Sequence, residues 1–351
     1  MSPASVTIND VARAAGVSKS LVSLTLNDRP GVKSETRERI LQTAQELGWT
    51  PHPGARGLTT RRAYALGLVL RRETRTIEVD PFFAAFIAGV ETVLAERGNV
   101  LVLTVVPDQD AEERAYARLA ADKRVDGFLL TDLLAEDARI PLIERLGSFA
   151  VSLGAPPGGS PFPVITRDYD SGIDDLVAHL VGLGHRRIAH ISGDERMLHG
   201  LRRRERFERA ARAAGIAPLI VATDFSPEQG AQATKDLLET EDRPTAIVYG
   251  NDPMAIAGMG VAHERGLDLP AELSVTGLDG SQIGSFVYPS LTTLDNDPAG
   301  WGTAAAAALL RLVEGGESDD VALPPARLVV RASTAQPAIR STEIPSRKAN
   351  P

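Results

Sequence analysis

The reading of this chain turns on residues 7–27, TINDVARAAGVSKSLVSLTLN. Ile8, Val11, Ala12 and Ala15 fall at the i, i+3, i+4, i+7 spacing of one helical face. Thr7 stands where that helix needs a cap, and Asp10 follows three residues later in the capping-box position. Gly16 ends the helix, because glycine enters a left-handed turn without a steric cost. Ser18 then caps a second helix. On it Val22, Thr25 and Leu26 face inward, while Lys19, Ser20, Ser23, Leu24 and Asn27 face out.

Two small amphipathic helices about an Ala-Gly turn are also a common packing device, so the shape alone leaves packing and DNA binding equally open. The second helix has the width that enters the major groove, and its N-terminal outward side chains are those that reach base edges. The surrounding motifs decide between the two. They are T-x-x-D-V-A-x-x-A-G-V-S from Thr7, V-S-x-x-x-N from Val22, V-x-x-x-T-R from Val32 and P-x-x-x-A-R-x-L from Pro51. With these pieces the chain resembles the LacI/GalR family of bacterial transcription regulators, and the resemblance runs on to about residue 331. It implies an all-α helix-turn-helix headpiece followed by an α/β two-lobed body like that of periplasmic binding proteins, with parallel sheets. The implied function is a ligand-responsive regulator, a repressor in most such chains, bound as a dimer to a near-palindromic operator. The implied DNA contacts are Thr7, Ser18, Lys19, Ser20, Ser23, Leu24, Asn27, Ala55, Arg56 and Leu58. Leu24 among the base readers offers only apolar contact, for instance to a thymine methyl.

Composition agrees with this division. The chain has 351 residues, enough for two or three compact units, and 43% of them are apolar. The formal charge is −8, yet residues 1–62 hold nine basic against five acidic side chains, a net of +4 that leaves −12 on the remainder. A basic end can approach phosphates while an acidic body stays off them. There is no cysteine, so neither a disulfide nor a thiolate metal site is expected. No nucleophile elbow, phosphate loop or H-E-x-x-H motif is present, which points away from an enzyme and from any cofactor. The start, MSPASVTINDV, lacks the form of a signal peptide, and a cytoplasmic protein is expected.

After the quoted stretch, a third helix is predicted over 34–47, with Ile40, Leu41, Ala44 and Leu47 inside, Gly48 as its stop and Trp49 closing the core. Residues 1–49 thus read as the headpiece. Residues 50–62 read either as a plain linker or, by the resemblance, as a hinge helix whose Leu58 wedges into the minor groove. Gly54 and Gly57 each cost such a helix roughly 1 kcal/mol, so the hinge is expected to be helical only on DNA. From 63 to 340, short apolar runs alternate with amphipathic ones, the pattern of parallel sheet covered by helices. A second series is taken to begin at Val164, with a helix predicted over 203–214. By the resemblance the chain crosses between the lobes near 165, 295 and 325. Lobe 1 is then 63–165 with 296–325, and lobe 2 is 166–295 with 326–340. The tail, 341–351, reads as disordered, and the absence of heptads after residue 331 argues for a dimer and against a coiled-coil tetramer.

The resemblance places an effector between the lobes, at Phe82, Phe83, Asp168, Arg203, Phe225, Asn251 and Asp279. Arg203, Asn251 and Asp279 would hydrogen-bond a polar ligand such as a sugar or sugar derivative. Phe225 would lie against its flat face, with Phe82 and Phe83 closing the pocket. Asp80 and Asp252 read equally well as helix caps, and His185 as a structural turn residue. Arg71 and Arg72 depart from the family pattern. Reaching the cleft, they would suit a phosphorylated or carboxylated ligand; facing solvent, they would not bear on specificity.

Overall fold

A computed structural model describes residues 6–26, 30–49, 60, 62–72 and 80–338. Asn27, Ala55, Arg56, Leu58, the hinge segment 50–59 and the tail lie outside the described residues. The chain divides into two compact units between Tyr64 and Ala65.

The first unit is three helices, α1 (Ile8–Ala14), α2 (Lys19–Leu26) and α3 (Ser34–Glu46). The Thr7 amide and hydroxyl donate to Asp10 Oδ2 at 2.9 and 2.7 Å, which fastens the first turn of α1. Gly16 turns the chain at φ +65. Val11, Val22 and Ile40, none with any exposed surface, meet at the centre, and Trp49 packs against the same cluster. Leu41 and Leu47, expected inside, are largely exposed. Three short helices enclose so small a core that only Ile40 and Ala44 of α3 are buried in it.

The second unit holds two parallel sheets. The first runs in the order β11-β5-β4-β3-β1-β2, from β1 (Ala65–Arg71), β2 (Val100–Val106), β3 (Gly127–Leu130), β4 (Phe149–Leu153), β5 (Val164–Arg167) and β11 (Val321–Leu323). Between these strands lie α4 (Pro81–Glu96), α5 (Gln109–Ala121) and α6 (Arg139–Arg145). The second sheet is β7-β6-β8-β9, from β6 (Ile188–Ser192), β7 (Leu219–Ala222), β8 (Ala246–Tyr249) and β9 (Ser274–Thr276). Its helices are α7 (Asp170–Gly182), α8 (Leu198–Ala213), α9 (Pro227–Glu239) and α10 (Asp252–Glu264). Strands β10 (Thr293–Asp295) and β12 (Arg327–Val329) pair antiparallel, and α11 (Pro298–Val313) returns to pack on the first sheet. The central strand β1 reads as an unbroken apolar run because both its faces are covered: every residue from Ala65 to Leu70 is buried.

Two expectations are corrected here. Val164 does not open the second series. Its strand pairs with β4, in register Ser152↔Val164, and belongs to the first sheet, between β4 and β11. The helix expected from 203 begins at Leu198, a turn and a half earlier, which places His199 on the same helix as Arg203. His185 is structural, as read: its ring nitrogens meet Thr245 Oγ1 at 2.8 Å and the Ala335 carbonyl at 3.0 Å, with no exposed surface. Among the described residues no helix is long and apolar enough to cross a membrane.

Candidate functional site

Loops at the carboxyl ends of both sheets enclose a cavity of about 270 Å³. Parallel α/β sheets bind ligands at that edge, where loops from several strands converge. The first sheet contributes Arg72 after β1, Thr131 and Asp132 after β3, and Tyr169 after β5. The second contributes Phe225 after β7, Asn251 after β8 and Asp279 beyond β9, with His199 and Arg203 from α8. Two contacts tie the lobes at its mouth. The Leu198 amide donates to the Leu133 carbonyl at 2.8 Å, and Leu134 bridges Met197 in antiparallel fashion.

Of the residues predicted from sequence, Phe82, Asp168, Arg203, Phe225, Asn251 and Asp279 line this cavity. Phe83 does not. It is 2% exposed inside the core of the first lobe, beneath the Arg72 guanidinium at 5.2 Å. Helical geometry explains the difference: Phe82 stacks on Phe86, four residues on, at 5.9 Å, while Phe83 turns about 100° away. Asp168 sits at the rim with its carboxylate already engaged, accepting from the Asp170 amide at 2.8 Å and the Ser171 hydroxyl at 2.9 Å.

Arg203 donates to the Gly250 carbonyl at 2.8 Å, lies over the Tyr169 ring at 4.9 Å and faces Asp279 Oδ1 at 3.8 Å. Phe225 takes a left-handed backbone, φ +70, that a bulky side chain ordinarily avoids. Asn251 holds that turn: its Nδ2 donates to the Phe225 carbonyl at 2.9 Å, and its Oδ1 accepts from the Met254 amide, capping α10. Gly193 is required underneath, since a Cβ there would overlap the Phe225 ring. Asp252 is a hub and not a cap. It accepts from the Asp279 and Ser281 amides and from the Ser281 and Thr293 hydroxyls. Burial and the nearby Asp252 carboxylate together raise the Asp279 carboxyl above its ordinary range.

Sequence reasoning missed Asp132, Tyr169, His199 and Trp301, and left Arg72 undecided. Arg72 reaches the cavity, with Nε 2.9 Å from Asp132 Oδ2 and Nη1 3.7 Å from Asp80 Oδ2. Burial disfavours its charge, but Asp132 and Asp80 outweigh that and keep it ionised. Arg71 turns away to Glu112 at 3.1 Å. Asp80 also accepts from the Phe82 amide at 3.0 Å, the capping role weighed for it. His199 stacks on Phe225 at 5.2 Å and 22°, and burial, with Arg203 beside it, pushes its pKa down to about 3. Its place one turn before Arg203 was the available signal, lost with the misplaced helix start.

In the first unit, Lys19 and Ser20 are exposed on α2, and Ser23 and Leu24 are half-buried. Ser18 Oγ accepts from the Leu21 amide at 3.3 Å, so it and Thr7 each fix a helix start. The Arg37 guanidinium donates to the Thr25 carbonyl at 3.3 Å, tying α3 to the end of α2.

Comparison with known proteins bears on both units. Residues 7–52 match the family described as bacterial regulatory proteins, lacI family, and residues 177–334 match a periplasmic binding protein-like domain. The transcriptional regulator CelR of Thermobifida fusca is 31% identical over 322 residues, 90% of this chain and 94% of its own length. A lac repressor dimer solved on its operator with the anti-inducer ONPF superposes with a TM-score of 0.81 at 28% identity, over 95% of this chain and 100% of that one. A CelR–cellobiose complex gives 0.72 at 28% identity, over 93% and 99%. A helix-turn-helix unit, a two-lobed parallel-sheet body and relatives matched over nearly their whole length agree: this chain belongs to the LacI family of bacterial regulatory proteins, and is a DNA-binding transcription regulator, not an enzyme.

Proposed function

We propose that this regulator is a repressor, acting in the cytoplasm as a homodimer on a near-palindromic operator and controlled by a sugar or sugar derivative in the interlobe cavity. The observation that carries the reading is the convergence of Arg203, Asn251 and Asp279 beside the Phe225 ring. A guanidinium fork and a carboxylate suit paired hydroxyls, and an aromatic face suits the apolar side of a pyranose. The similar CelR was solved with cellobiose, and the similar lac repressor as a dimer on its operator. Lys19, Ser20 and Leu24 then read bases, Thr7, Ser18, Ser23, Asn27, Ala55 and Arg56 support the contact, and Leu58 wedges into the minor groove. The ligand acts by its unequal affinity for two lobe arrangements, and linkage makes operator and ligand alter each other's affinity by one factor.

The test is selection of genomic fragments by the purified protein, followed by anisotropy titrations across salt. We expect a small set of fragments bound with salt-dependent affinity. Leu58→Ala should lose most of that affinity while keeping its binding to random DNA. Equal losses on both would remove the wedge role, and no salt-sensitive binding to any fragment would end the operator reading.

A further inference from the structure

We infer that Arg139, buried in the first lobe and outside the wall of the interlobe cavity, is a positioning residue for the contact between the lobes: it shapes loop 131–134 so that the Leu133 carbonyl caps α8 of the second lobe. The inference goes beyond the effector reading, since it concerns what holds the lobes about the cavity whatever ligand enters.

The sequence gives α8 no cap of its own. The leading amides of a helix have no partner within it, and Met197, which precedes Leu198, offers no side-chain acceptor. The Leu198 amide donates instead to the Leu133 carbonyl at 2.8 Å, and Leu134 bridges Met197 in antiparallel fashion beside it. Arg72 of the first lobe adds a donor to Met197 Sδ at 3.8 Å. The helix that carries His199 and Arg203 into the cavity therefore starts on a carbonyl of the opposite lobe.

The loop that offers this carbonyl needs outside support. Asp132 stands at φ +51, a left-handed conformation that a residue with a Cβ holds at a cost. Arg139 Nη2 donates to the Thr131 carbonyl at 2.9 Å and to the Asp132 carbonyl at 3.1 Å, the two peptides that flank the strained Cα. Its Nε and Nη2 also donate to Asp137 Oδ1 and Oδ2 at 2.8 and 2.6 Å, and Oδ2 accepts from the Leu134 amide at 3.0 Å. The fork thus grips residues 131 and 132 directly and 134 through Asp137, and Leu133 between them is left to meet the second lobe. Glu112 on α5 steadies it, with one oxygen 3.3 Å from Arg139 Nη1 and the other 3.1 Å from Arg71. Arg139 and Glu112 are only 6% and 2% exposed. Buried ion clusters stabilise a fold no better than apolar packing of similar volume, so stability is a poor account of this one. A planar fork that fixes two carbonyls at a set spacing is a use that only arginine serves.

The test is amide hydrogen exchange of the ligand-free full chain, resolved to single residues by NMR. The Leu198 amide has no partner within its helix, so its protection reports the contact between the lobes. In the wild type it should exchange roughly a hundredfold more slowly than in an open peptide. Arg139→Lys keeps the charge and loses the fork. It should leave the ladder amides of β1 and β6 as protected as before, while protection at Leu198 falls about tenfold. If Arg139 did no more than neutralise Asp137 and Glu112, lysine would serve as well and Leu198 would stay protected; that result overturns the inference. So does a Leu198 amide that is unprotected in the wild type. So does a variant that loses protection equally at Leu198, β1 and β6, which would make Arg139 a general support of the fold. Where Arg139→Lys does not fold, Arg139→Met with Glu112→Gln and Asp137→Asn removes the fork without leaving a bare carboxylate, and is read in the same way. Failure of both to fold would assign the cluster to the fold and not to the lobe contact.

Discussion

His190 lies on β6, in the interior of the second sheet, with no exposed surface; its Nδ1 is 2.9 Å from the Val248 carbonyl. Burial pushes its pKa down to about 4, against an ordinary value of 6.5. Between those values the unfolded chain holds a proton that the folded one refuses, so His190 makes stability fall as pH falls through that window. From pH 7 to pH 5 this one group should cost about 2 kcal/mol. His190→Asn keeps a donor near Nδ1, and urea unfolding at the two pH values should show the variant losing about that much less than the wild type. An identical pH dependence in both would mean that His190 is not the source. At this same scale the sequence was partly legible. Arg203 could be named because Phe207, four residues on, fixed its register, and Phe207 is indeed in the core. Phe82 and Phe83 could not be told apart, because adjacent residues on a helix point to different sides and the identity of a phenylalanine does not say which.

Helices α4 and α11 pack with their backbones close together. Gly89 and Gly302 let the two backbones approach so closely that a Cβ on either would overlap a carbonyl of the facing helix, Ala299 or Phe86 respectively. Thr303 Oγ1 also donates to the Gly89 carbonyl at 3.3 Å. Helix propensity alone would make Gly89→Ala stabilising by roughly 1 kcal/mol. Because the obstacle is backbone and not a flexible side chain, we expect instead a loss of about 2 kcal/mol, read by urea unfolding. A gain in stability would show that the helices can separate without cost. Most elements were easy to read, since buried strands are continuous apolar runs; the start of α8 was not, because Met197 before it offers no side-chain cap. The grouping of elements was harder. The strand Val164–Arg167 is four residues long, and nothing in VITR says which sheet it joins; that is settled by partners far away in sequence, β11 among them.

For the molecule as a whole, surface left uncovered is as telling as the core. Phe286 and Tyr288 are 74% and 96% exposed on the second lobe, with Ile283 exposed nearby. On the first lobe the edge strand β2 shows Val100, Leu103 and Val105 to solvent. Exposed aromatic and aliphatic groups of this kind mark protein interfaces, and an uncovered edge strand invites pairing. If these faces seat a second copy, Phe286→Ser with Tyr288→Ser should shift the protein from dimer to monomer in sedimentation at micromolar concentration, with the folded circular-dichroism spectrum retained. A double variant that remains as associated as the wild type would place the interface elsewhere. No periodicity in the sequence announced this patch, because these residues sit in and beside a short 3₁₀ turn and not on a regular face.

The return of α11 to the first sheet has a consequence for the order in which the body is made. The first lobe starts to emerge from the ribosome at β1, yet Trp301 and Leu309, which fill its interior, and β11, which flanks its sheet, come after the whole second sheet. The lobe begun first is therefore completed last. Over the intervening stretch of synthesis its apolar wall stands open, in need of shelter that the finished protein no longer shows.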